Sequence, residues 1–340
     1  MVFGFGQKNI GIDLGTSNTY IYAEGRGILL KEPSYIARNK KTNEVIAVGS
    51  AAKMMMGKTP SNIEVIRPLK NGVIDNLEMT IEMLRLFLKQ AFNNRVGNPV
   101  VTIGVPSGVT SVERRAVVEA VRSAGAREAY VIVEPFAAAV GSGLPVMDSI
   151  GSMVVDIGGG TTDVIAISLG GIIAERSINI AGDVFNASIA NYAREHFGLV
   201  IGETTAERLK MEIGTADLQA VNGLPLSVAS GRSLNNGTPM TVEFSSEDIA
   251  NALQEPISQI IRIIIETLDA TPAELRADII DRGIVITGGG ALLRNINDVI
   301  TKATNIPAFV NEDTAAEAVA IGTGEALKSI DLFNGTAENN

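Results

Sequence analysis

Apolar residues follow two different patterns along the chain, continuous short runs and a helical repeat. Continuous apolar runs at Val100–Val105 and at residues 153–157 are typical of strands that are buried on both faces of a sheet. Between such runs, apolar residues recur at helical spacing and predict amphipathic helices. Thr110 with Glu113 predicts a capping box at the start of one helix, and Ser246 predicts the start of a long helix striped with Ile and Leu. The pattern therefore predicts an α/β chain in which strands and helices alternate.

Two stretches interrupt this alternation. Residues 34–70 are polar with short strand-like runs, and residues 184–246 combine a helical stretch with a hairpin at Asn235-Asn236-Gly237, a type I′ turn signal. We interpret both stretches as small subdomains inserted into two larger core domains. The predicted boundaries are residues 1–33, 71–150 and 322–340 for subdomain IA, 34–70 for IB, 151–183 and 247–321 for IIA, and 184–246 for IIB.

Composition narrows the classes of function. The chain has 340 residues, of which 46% are hydrophobic and 4% aromatic, so we expect about two domains with aliphatic cores. It contains no cysteine, which excludes a disulfide framework and thiolate metal sites. The sequence shows neither a secretory signal nor an apolar run approaching ~18 residues, and we expect a cytoplasmic protein. The net charge of −10 argues against non-specific binding to nucleic acid and against purely electrostatic attachment to anionic lipid.

One loop motif occurs twice, each time directly after an apolar run. In both copies glycine lets the backbone approach a phosphate, hydroxyl groups add donors, and the leading carboxylate can hold a hydrated divalent cation. Two such loops could bind a nucleoside triphosphate from both sides. A single Asp-x-Gly-Thr segment, however, is also a common turn at the end of a strand, and an aspartate there can serve an Asx-turn. The two copies read Asp13-Leu14-Gly15-Thr16-Ser17-Asn18-Thr19 and Asp156-Ile157-Gly158-Gly159-Gly160-Thr161-Thr162-Asp163.

A third element follows the apolar run that begins at Ile284. Thr287-Gly288-Gly289-Gly290-Ala291 offers bare backbone against which a flat base or a ribose could lie. In this order, the three elements resemble the actin-like ATPase superfamily. Longer matches, from about residue 9 to residue 327, are similar to the MreB family of bacterial actins; they are Gly11 to Thr19, Val105-Pro106-Ser107-Gly108-Val109-Thr110, Glu134-Pro135-Phe136-Ala137-Ala138-Ala139, the second loop, and Glu212-Ile213-Gly214.

The resemblance implies a fold and a function. The fold is the actin-like ATPase fold, with duplicated α/β core domains, two small inserted subdomains and an interdomain nucleotide cleft. The function is that of a slow ATPase that binds ATP with Mg²⁺, polymerises with copies of itself, and scaffolds the cell-wall elongation machinery and cell shape at the inner face of the cytoplasmic membrane. We expect no nucleic-acid partner.

The resemblance also assigns roles to individual residues. Asp13 and Asp156 are expected to hold Mg²⁺ through its waters, because they share one position in the two loops. Glu134 is expected to position the attacking water, with Thr161 as a second residue that orients it; a carboxylate at a helix start before Pro135 is also favourable for structural reasons alone. The predicted nucleotide contacts are Gly15, Thr16, Ser17, Asn18, Thr19, Gly158, Gly159, Gly160, Thr161, Gly182, Asp183, Gly288, Gly289, Gly290 and Ala291.

Glu207 and Lys210 lie one helical turn apart and resemble the family's pair that brackets the ribose and the adenine. Two structural explanations remain open for them. Thr204 with Glu207 has the spacing of a capping box, and Glu with Lys at i,i+3 is a common pairing on a helix surface.

The chain departs from its relatives at two places. Actin carries a lysine where this chain has Asn18, so the first loop relies on neutral donors and the metal. After Asp183, where MreB usually has further acidic residues and a methionine, the chain reads Val184-Phe185-Asn186, which puts normal turnover in doubt.

Three apolar features lie outside the nucleotide motifs. Phe3 and Phe5 stand on glycine spacers and are predicted either to insert into lipid or to fold back onto the domain, and the region around Phe92 is the alternative membrane site. Met54-Met55-Met56 is interpreted as adaptable packing or a filament contact.

Two other ATPases of the superfamily are the rival functions. A metabolic kinase would need a catalytic aspartate near the Val-Pro-Ser-Gly-Val-Thr segment, which has none. A chaperone-like ATPase would need an appended peptide-binding domain.

Overall fold

The computed structural model describes residues 9–94, 97–221 and 223–327. The predicted lipid contact at Phe3 and Phe5 lies outside these residues. Within the described part of the chain, no helix has both the length and the apolar character needed to cross a bilayer.

The first half of the chain contains ten strands and four helices within its described residues. The strands are β1 (Asn9–Leu14), β2 (Asn18–Ala23), β3 (Gly27–Pro33), β4 (Ile36–Asn39), β5 (Val45–Val48), β6 (Ile63–Ile66), β7 (Leu69–Lys70), β8 (Val73–Ile74), β9 (Val100–Val105) and β10 (Glu128–Val133). The helices are α1 (Gly49–Met54), α2 (Leu77–Ala91), α3 (Ser111–Ser123) and α4 (Glu134–Gly141).

The second half continues the alternation of strands and helices. Its strands are β11 (Ser152–Ile157), β12 (Thr162–Ser168), β13 (Gly171–Ile178), β14 (Leu199–Val200), β15 (Ser227–Ser233), β16 (Pro239–Phe244), β17 (Ile284–Thr287) and β18 (Ala308–Val310). Its helices are α5 (Gly182–Phe197), α6 (Glu203–Ile213), α7 (Ser246–Ala270), α8 (Ala273–Arg282), α9 (Ile296–Thr304) and α10 (Ala318–Ala326). Short 3₁₀ helices lie at Leu218–Ala220, Gly289–Leu292 and Ala315–Glu317.

Two five-stranded sheets have the same strand order. One sheet runs β3-β2-β1-β9-β10 and the other runs β13-β12-β11-β17-β18, so that β1 corresponds to β11 and β9 to β17. In each sheet the strand before a glycine loop is paired in parallel with the next core strand, β1 with β9 and β11 with β17. Each predicted insert adds a three-stranded sheet, β5-β4-β6 in one case and β14-β15-β16 in the other. The predicted duplicated α/β fold with two small inserts is confirmed.

The continuous apolar runs form the central strands of these sheets. Every residue of β9 and of β11 is buried, as expected for strands that are covered on both faces. Around β9, the aliphatic and aromatic residues of α2 belong to one hydrophobic cluster of the first unit, in which Met83, Leu84 and Phe87 are fully buried. At ~25 cal/mol per Å², burial of this kind is the main stabilising contribution to the fold.

Helix starts test the sequence predictions directly. The capping box of Thr110 and Glu113 forms at the start of α3, as predicted. At α7 the cap is Ser245, not Ser246, and Ser245 exchanges hydrogen bonds with Asp248. The capping box of Thr204 and Glu207, which the sequence leaves open as an alternative, does not form, because α6 begins one residue before Thr204 and Gly202 occupies the cap position.

The second insert contains the predicted hairpin with a different turn. A type I′ turn needs positive φ at both central residues, but only Gly237 among Asn235, Asn236 and Gly237 has it. The strands are instead closed by a longer loop, in which Ser233 N donates to Thr238 O at 2.8 Å and Gly237 N donates to Ser233 O at 3.0 Å. A two-residue turn with positive φ at both positions occurs at Asn71-Gly72, between β7 and β8.

The chain divides into two compact units. Unit 1 comprises residues 1–150, 167–175 and 317–340, and unit 2 comprises residues 151–166 and 176–316. Residues 167–175 and 317–321, which the sequence prediction places in subdomain IIA, group with unit 1. The finer division into four subdomains stays a prediction.

Candidate functional site

Unit 1 carries the first glycine loop between β1 and β2. Asp13 is the second-last residue of β1, half-buried, and lies opposite Tyr20 of β2. Burial raises the pKa of the Tyr20 hydroxyl well above its usual range, and the carboxylates of Asp13 and Glu317 raise it further. Tyr20 therefore stays protonated beside the carboxylate that the sequence assigns to Mg²⁺.

Buried hydrogen bonds fix the shape of the first loop. Ser34 Oγ donates to the Gly15 carbonyl oxygen at 2.6 Å and lies 2.9 Å from Thr19 Oγ1. Thr16 Oγ1 accepts a hydrogen bond from Gly72 N at 2.8 Å. Thr19, predicted as a phosphate donor, has a fully buried side chain in this network. The partly exposed side chains of the loop are those of Ser17 and Asn18.

Glu134 lies at the start of α4, directly after β10. Its side chain is 8% exposed, and a Cβ added to Gly104 would lie 2.9 Å from Glu134 Cγ. Any residue other than glycine at position 104 would therefore displace this carboxylate. β10, β9 and β1 are parallel neighbours, so Glu134 and the first loop both follow the carboxyl ends of strands at one edge of the sheet. Ligands of open α/β sheets bind at such edges.

Helix α10 supports both parts of this edge. A Cβ on Gly322 would lie 1.8 Å from the Ala137 carbonyl oxygen of α4, and one on Gly11 of β1 would lie 2.4 Å from the Gly324 nitrogen. The backbones of α10, α4 and β1 are thus in direct contact, and the position of Glu134 relative to the first loop depends on small residues in α10.

Unit 2 carries the second loop, with Asp156 near the end of β11. Asp156 is 6% exposed, and Thr287 Oγ1 donates to Asp156 Oδ1 at 3.0 Å. Burial raises the pKa of Asp156 to about 6, and the hydrogen bond from Thr287 opposes this shift. A cation at this carboxylate would lower its pKa again. In this structure the hydrogen bond from Thr287 only partly offsets the cost of burying the ionised Asp156 carboxylate.

The start of α5 binds the second loop through its first two N–H groups. Gly182 N donates to Gly158 O at 3.2 Å, and Asp183 N donates to Gly159 O at 2.8 Å. The loop itself is closed by Gly158 N, which donates to Thr161 O at 2.9 Å. The carbonyl oxygens of the loop thereby accept hydrogen bonds from N–H groups that have no partner within the helix at its start. Six predicted contact residues, Gly158 to Thr161 with Gly182 and Asp183, are brought together in this way.

Helix α6 places Lys210 at the same loop. Lys210 Nζ donates to the Gly182 carbonyl oxygen at 3.1 Å, and Glu207 lies one turn earlier, half-buried. Because the alternative capping box of Glu207 does not form, one of the two structural explanations for this pair is removed. The lysine side chain is bound to the loop region and not extended into solvent.

The third element lies directly against the second loop in unit 2. Gly288 has φ +84, and a Cβ there would lie 2.3 Å from Ile157 O and 2.6 Å from Asp156 Oδ1. A Cβ on Gly290 would lie 2.3 Å from Ile157 Cγ2, whereas a Cβ on Gly289 would have no atom within 4 Å. Ala291 is 3% exposed. Gly288 and Gly290 therefore allow close approach of two backbones, and Gly289 presents open backbone.

Four residues important for this geometry are given no role of their own by the sequence prediction. Thr287, which begins the third element, donates to Asp156, Gly104 makes room for Glu134, and Ser34 and Gly72 hold the first loop. Of these, only Gly72 has a local signal, since Asn-Gly is the dipeptide that favours a type I′ turn.

The donor set fits one kind of metal site. Among the described residues, no group of three or more His, Cys, Asp or Glu side chains could hold an ion by itself. Mg²⁺ does not need such a cage, because it keeps several waters and binds through one or two carboxylates together with phosphates. A single aspartate in each glycine loop is compatible with that mode.

Comparisons with known proteins agree with this geometry. The family model described as MreB/Mbl protein matches residues 7–335. The cell shape-determining protein MreB of Escherichia coli strain K12 is 46% identical, over 98% of this chain and 96% of its own length. The cell shape-determining protein Mbl of Bacillus subtilis strain 168 is 42% identical, over 95% of this chain and 97% of its own length.

Solved structures are similar over the same extent. MreB5 of Spiroplasma citri bound to ADP has a TM-score of 0.90 at 37% identity, covering 96% of this chain and 97% of that chain. A chain of the MamK double helical filament has a TM-score of 0.79 at 20% identity, covering 95% of this chain, and supports the fold alone. The duplicated sheets, the two glycine loops and these matches over almost the whole chain show that the protein belongs to the MreB/Mbl family.

Proposed function

We propose that this protein is an ATP-binding, slowly hydrolysing bacterial actin that polymerises with copies of itself and scaffolds cell-wall elongation and cell shape at the cytoplasmic membrane. The observation that carries the proposal is the repeated arrangement of aspartate and glycine loop after β1 and after β11. Two relatives that cover the chain are named cell shape-determining proteins, and MreB5 of Spiroplasma citri binds ADP and AMPPNP. A metabolic kinase or chaperone-like ATPase gains no support from these relatives.

Each loop has a role in this proposal. Ser17, Asn18 and the backbone of the first loop donate to phosphate oxygens, as do the backbone of Gly158 to Gly160 and Thr161. The base and ribose lie against Gly288, Gly289 and Gly290, with Ala291 behind them, and Glu207 and Lys210 bracket the ribose and the adenine. Asp183 holds the second loop through its backbone N–H. Asp13 and Asp156 hold Mg²⁺, which supplies neutralisation of the phosphate charge.

Glu134 positions the attacking water in this proposal, with Thr161. Phosphoryl transfer to water needs alignment and charge stabilisation more than covalent chemistry. Glu134 is suited to alignment because its side chain is buried and its helix is held by α10. The start of α4 also favours a negative charge there.

Kinetics of a Glu134→Ala variant test this role. We expect ATP affinity within twofold of the unaltered protein and hydrolysis lowered at least ~10-fold, the equivalent of about 1.4 kcal/mol of lost transition-state stabilisation. Asp13→Ala is the matched comparison, for which we expect weaker binding of Mg²⁺-ATP. Wild-type hydrolysis by Glu134→Ala would show that this glutamate does not position the water.

Self-assembly is tested by pelleting and electron microscopy over a concentration series. Contacts between different surfaces of identical subunits form open filaments when the rotation between subunits does not close a ring, and for a bacterial actin we expect such filaments, with a critical concentration, in ATP. Tens of micromolar is a concentration at which ordinary micromolar association is observed. If the protein stays monomeric at that concentration with ATP or a non-hydrolysable analogue, the proposal is contradicted.

A further inference from the structure

Two segments of unit 2 meet just beyond the residues that are proposed to contact the base and the ribose. One segment, residues 214–217, follows α6, the helix that carries Glu207 and Lys210. The other, residues 293–295, follows the third element and leads into α9. The first segment belongs to the predicted second insert and the second does not, so their junction ties the insert to the glycines of the third element.

Hydrogen bonds around one buried threonine hold this junction. Ala216 N donates to the Arg294 carbonyl oxygen at 2.8 Å, and Thr215 pairs with Arg294 as an isolated parallel bridge. Thr215 is fully buried, and its hydroxyl donates to Asn295 Oδ1 at 3.0 Å and accepts from Asp217 N at 3.3 Å. Because a polar group that loses its partner inside a protein is costly, these bonds constrain both segments.

Two further contacts close the junction at the surface. Arg294 Nη2 donates to the Glu212 carbonyl oxygen at 2.9 Å, and Lys302 Nζ of α9 lies 2.6 Å from Asp217 Oδ2. The hydrogen bond from Lys302 holds the pKa of Asp217 below its usual range. Exposed ion pairs contribute little by themselves, so the buried Thr215 is the main link. We call the contacts between the two segments, together with this ion pair, the α6–α9 clasp.

Close packing continues the clasp to the proposed nucleotide contacts on both sides. A Cβ on Gly214 would lie 2.2 Å from the Lys210 carbonyl oxygen and 3.0 Å from Leu293 Cδ1. Leu293 is buried, and its N–H donates to the Gly290 carbonyl oxygen at 3.2 Å. At the other end, Lys210 Nζ donates to the Gly182 carbonyl oxygen at 3.1 Å. A continuous path of contacts therefore runs from Lys210 through the clasp to the third element.

We propose that the α6–α9 clasp sets the gap between α6 and the third element, and that Thr215 and Asn295 are positioning residues for the base and ribose. The inference rests on the proposed function and adds residues that touch neither the phosphates nor the metal. A gap that is fixed before the nucleotide arrives avoids an ordering cost on binding. The clasp therefore acts on nucleotide affinity, whereas hydrolysis depends on Glu134 and the glycine loops.

Two substitutions open the clasp with little other change. Thr215→Val keeps the shape of the side chain and removes the hydroxyl, and Asn295→Gly removes its acceptor but tolerates the left-handed backbone at φ +62. For each variant we expect the Kd for Mg²⁺-ATP, measured by titration calorimetry, to rise at least ~5-fold, with kcat at saturating ATP within about twofold of wild type. A lowered fraction of folded protein would instead reduce kcat and the binding stoichiometry and leave the Kd unchanged.

Matched controls keep the clasp closed. Thr215→Ser retains the hydroxyl, and Asn305→Gly replaces the asparagine at the other end of α9, which has the same left-handed backbone at φ +57. We expect both to bind ATP as the unaltered protein does. Thr215→Val with Asn295→Gly should bind ATP no more weakly than the weaker of the two single variants, because both substitutions remove the same hydrogen bond.

The outcomes separate this inference from the function on which it rests. If the unaltered protein binds no ATP, the proposed function is wrong, and the inference falls with it. If the unaltered protein binds ATP and either Thr215→Val or Asn295→Gly binds it equally tightly, or loses kcat at an unchanged Kd, nucleotide binding stands and the positioning role of the clasp is overturned. An equal loss of affinity in Asn305→Gly would also overturn it, since the effect would then come from the stability of α9.

Discussion

Asp156 shows how one buried residue couples folding to ligand binding. Its pKa is raised from 3.8 to about 6 by burial, so the folded state holds the proton more tightly than the unfolded state does. The stabilisation from protonation is complete below pH 3.8 and is lost as the pH rises to about 6. Above that pH, the uncompensated charge costs on the order of 2–3 kcal/mol.

This cost predicts that Asp156→Asn raises the stability of the nucleotide-free protein but reduces the stabilisation that Mg²⁺-ATP provides. Without nucleotide at about pH 7.5, which lies above the pKa of Asp156, we expect the variant to unfold at a higher temperature than wild type. The reason is that the asparagine side chain can still accept a hydrogen bond from Thr287 but carries no charge. With Mg²⁺ and ATP, we expect wild type to gain stability and the variant to gain little. Thermal unfolding with and without Mg²⁺-ATP measures both. Equal gains in the two proteins would remove Asp156 from the metal site.

Two adjacent glycines separate folding from binding in the third element. At Gly288 a Cβ would approach Ile157 O to 2.3 Å with φ at +84, so Gly288→Ala should cost at least ~1–2 kcal/mol of folding free energy. Gly289→Ala is the matched control, because its Cβ would meet nothing within 4 Å. We expect Gly289→Ala to leave the unfolding temperature unchanged and to weaken ATP binding if the nucleotide lies on this backbone. Denaturant unfolding and nucleotide titration of both variants check this.

At the scale of elements, the sequence predicted those helix starts and strands that depend only on neighbouring residues. The capping box of Thr110 and the buried strand β9 could be predicted because each depends on neighbouring residues or on burial of one continuous run. Thr204 with Glu207 has the same spacing as Thr110 with Glu113, yet no cap forms, since α6 begins earlier in the chain. Spacing alone does not determine where a helix starts.

Long-range contacts account for what the sequence did not predict at the site. Thr287 reaches Asp156 across 131 residues, and Ser34 reaches the first loop because β2 and β3 are paired. Nothing near Gly104 in the sequence indicates that a carboxylate 30 residues later occupies the space beside it. The glycine loops were recognisable because their own backbone makes the site, whereas the residues that support them are determined by the sheet order.

Helix α10 provides a test at this scale. A Cβ on Gly322 would lie 1.8 Å from the Ala137 carbonyl oxygen, so Gly322→Ala must separate α10 from α4. We expect destabilisation of about 1–3 kcal/mol, as for other overpacked sites, and hydrolysis reduced more than ATP affinity, because α4 carries Glu134. Gly97→Ala is the control, with nothing within 4 Å of its Cβ. A variant with normal stability and turnover would show that the α10–α4 contact does not position Glu134.

At the scale of the whole molecule, the proposed attachment to a membrane would depend on where apolar residues are available. Phe92, the alternative lipid contact, is 5% exposed and belongs to the core of unit 1, so its ring is not available for insertion. Phe3 and Phe5, which lie outside the described residues, remain the predicted contact. Each inserted ring contributes on the order of 1.5–3 kcal/mol, which is too little to hold a single acidic subunit on a membrane.

Assembly changes this balance, because a filament presents many such contacts at once and their effects multiply. We therefore expect filaments, and not monomers, to float with liposomes in a density gradient, and Phe3→Ser with Phe5→Ser to abolish flotation while the critical concentration stays unchanged. Leu234→Ser removes a comparable apolar side chain, 54% exposed in the β15–β16 loop, and should float like wild type. If the double variant floats as wild type does, these two phenylalanines do not attach the filament, and the lipid contact must lie on another surface of the assembled protein.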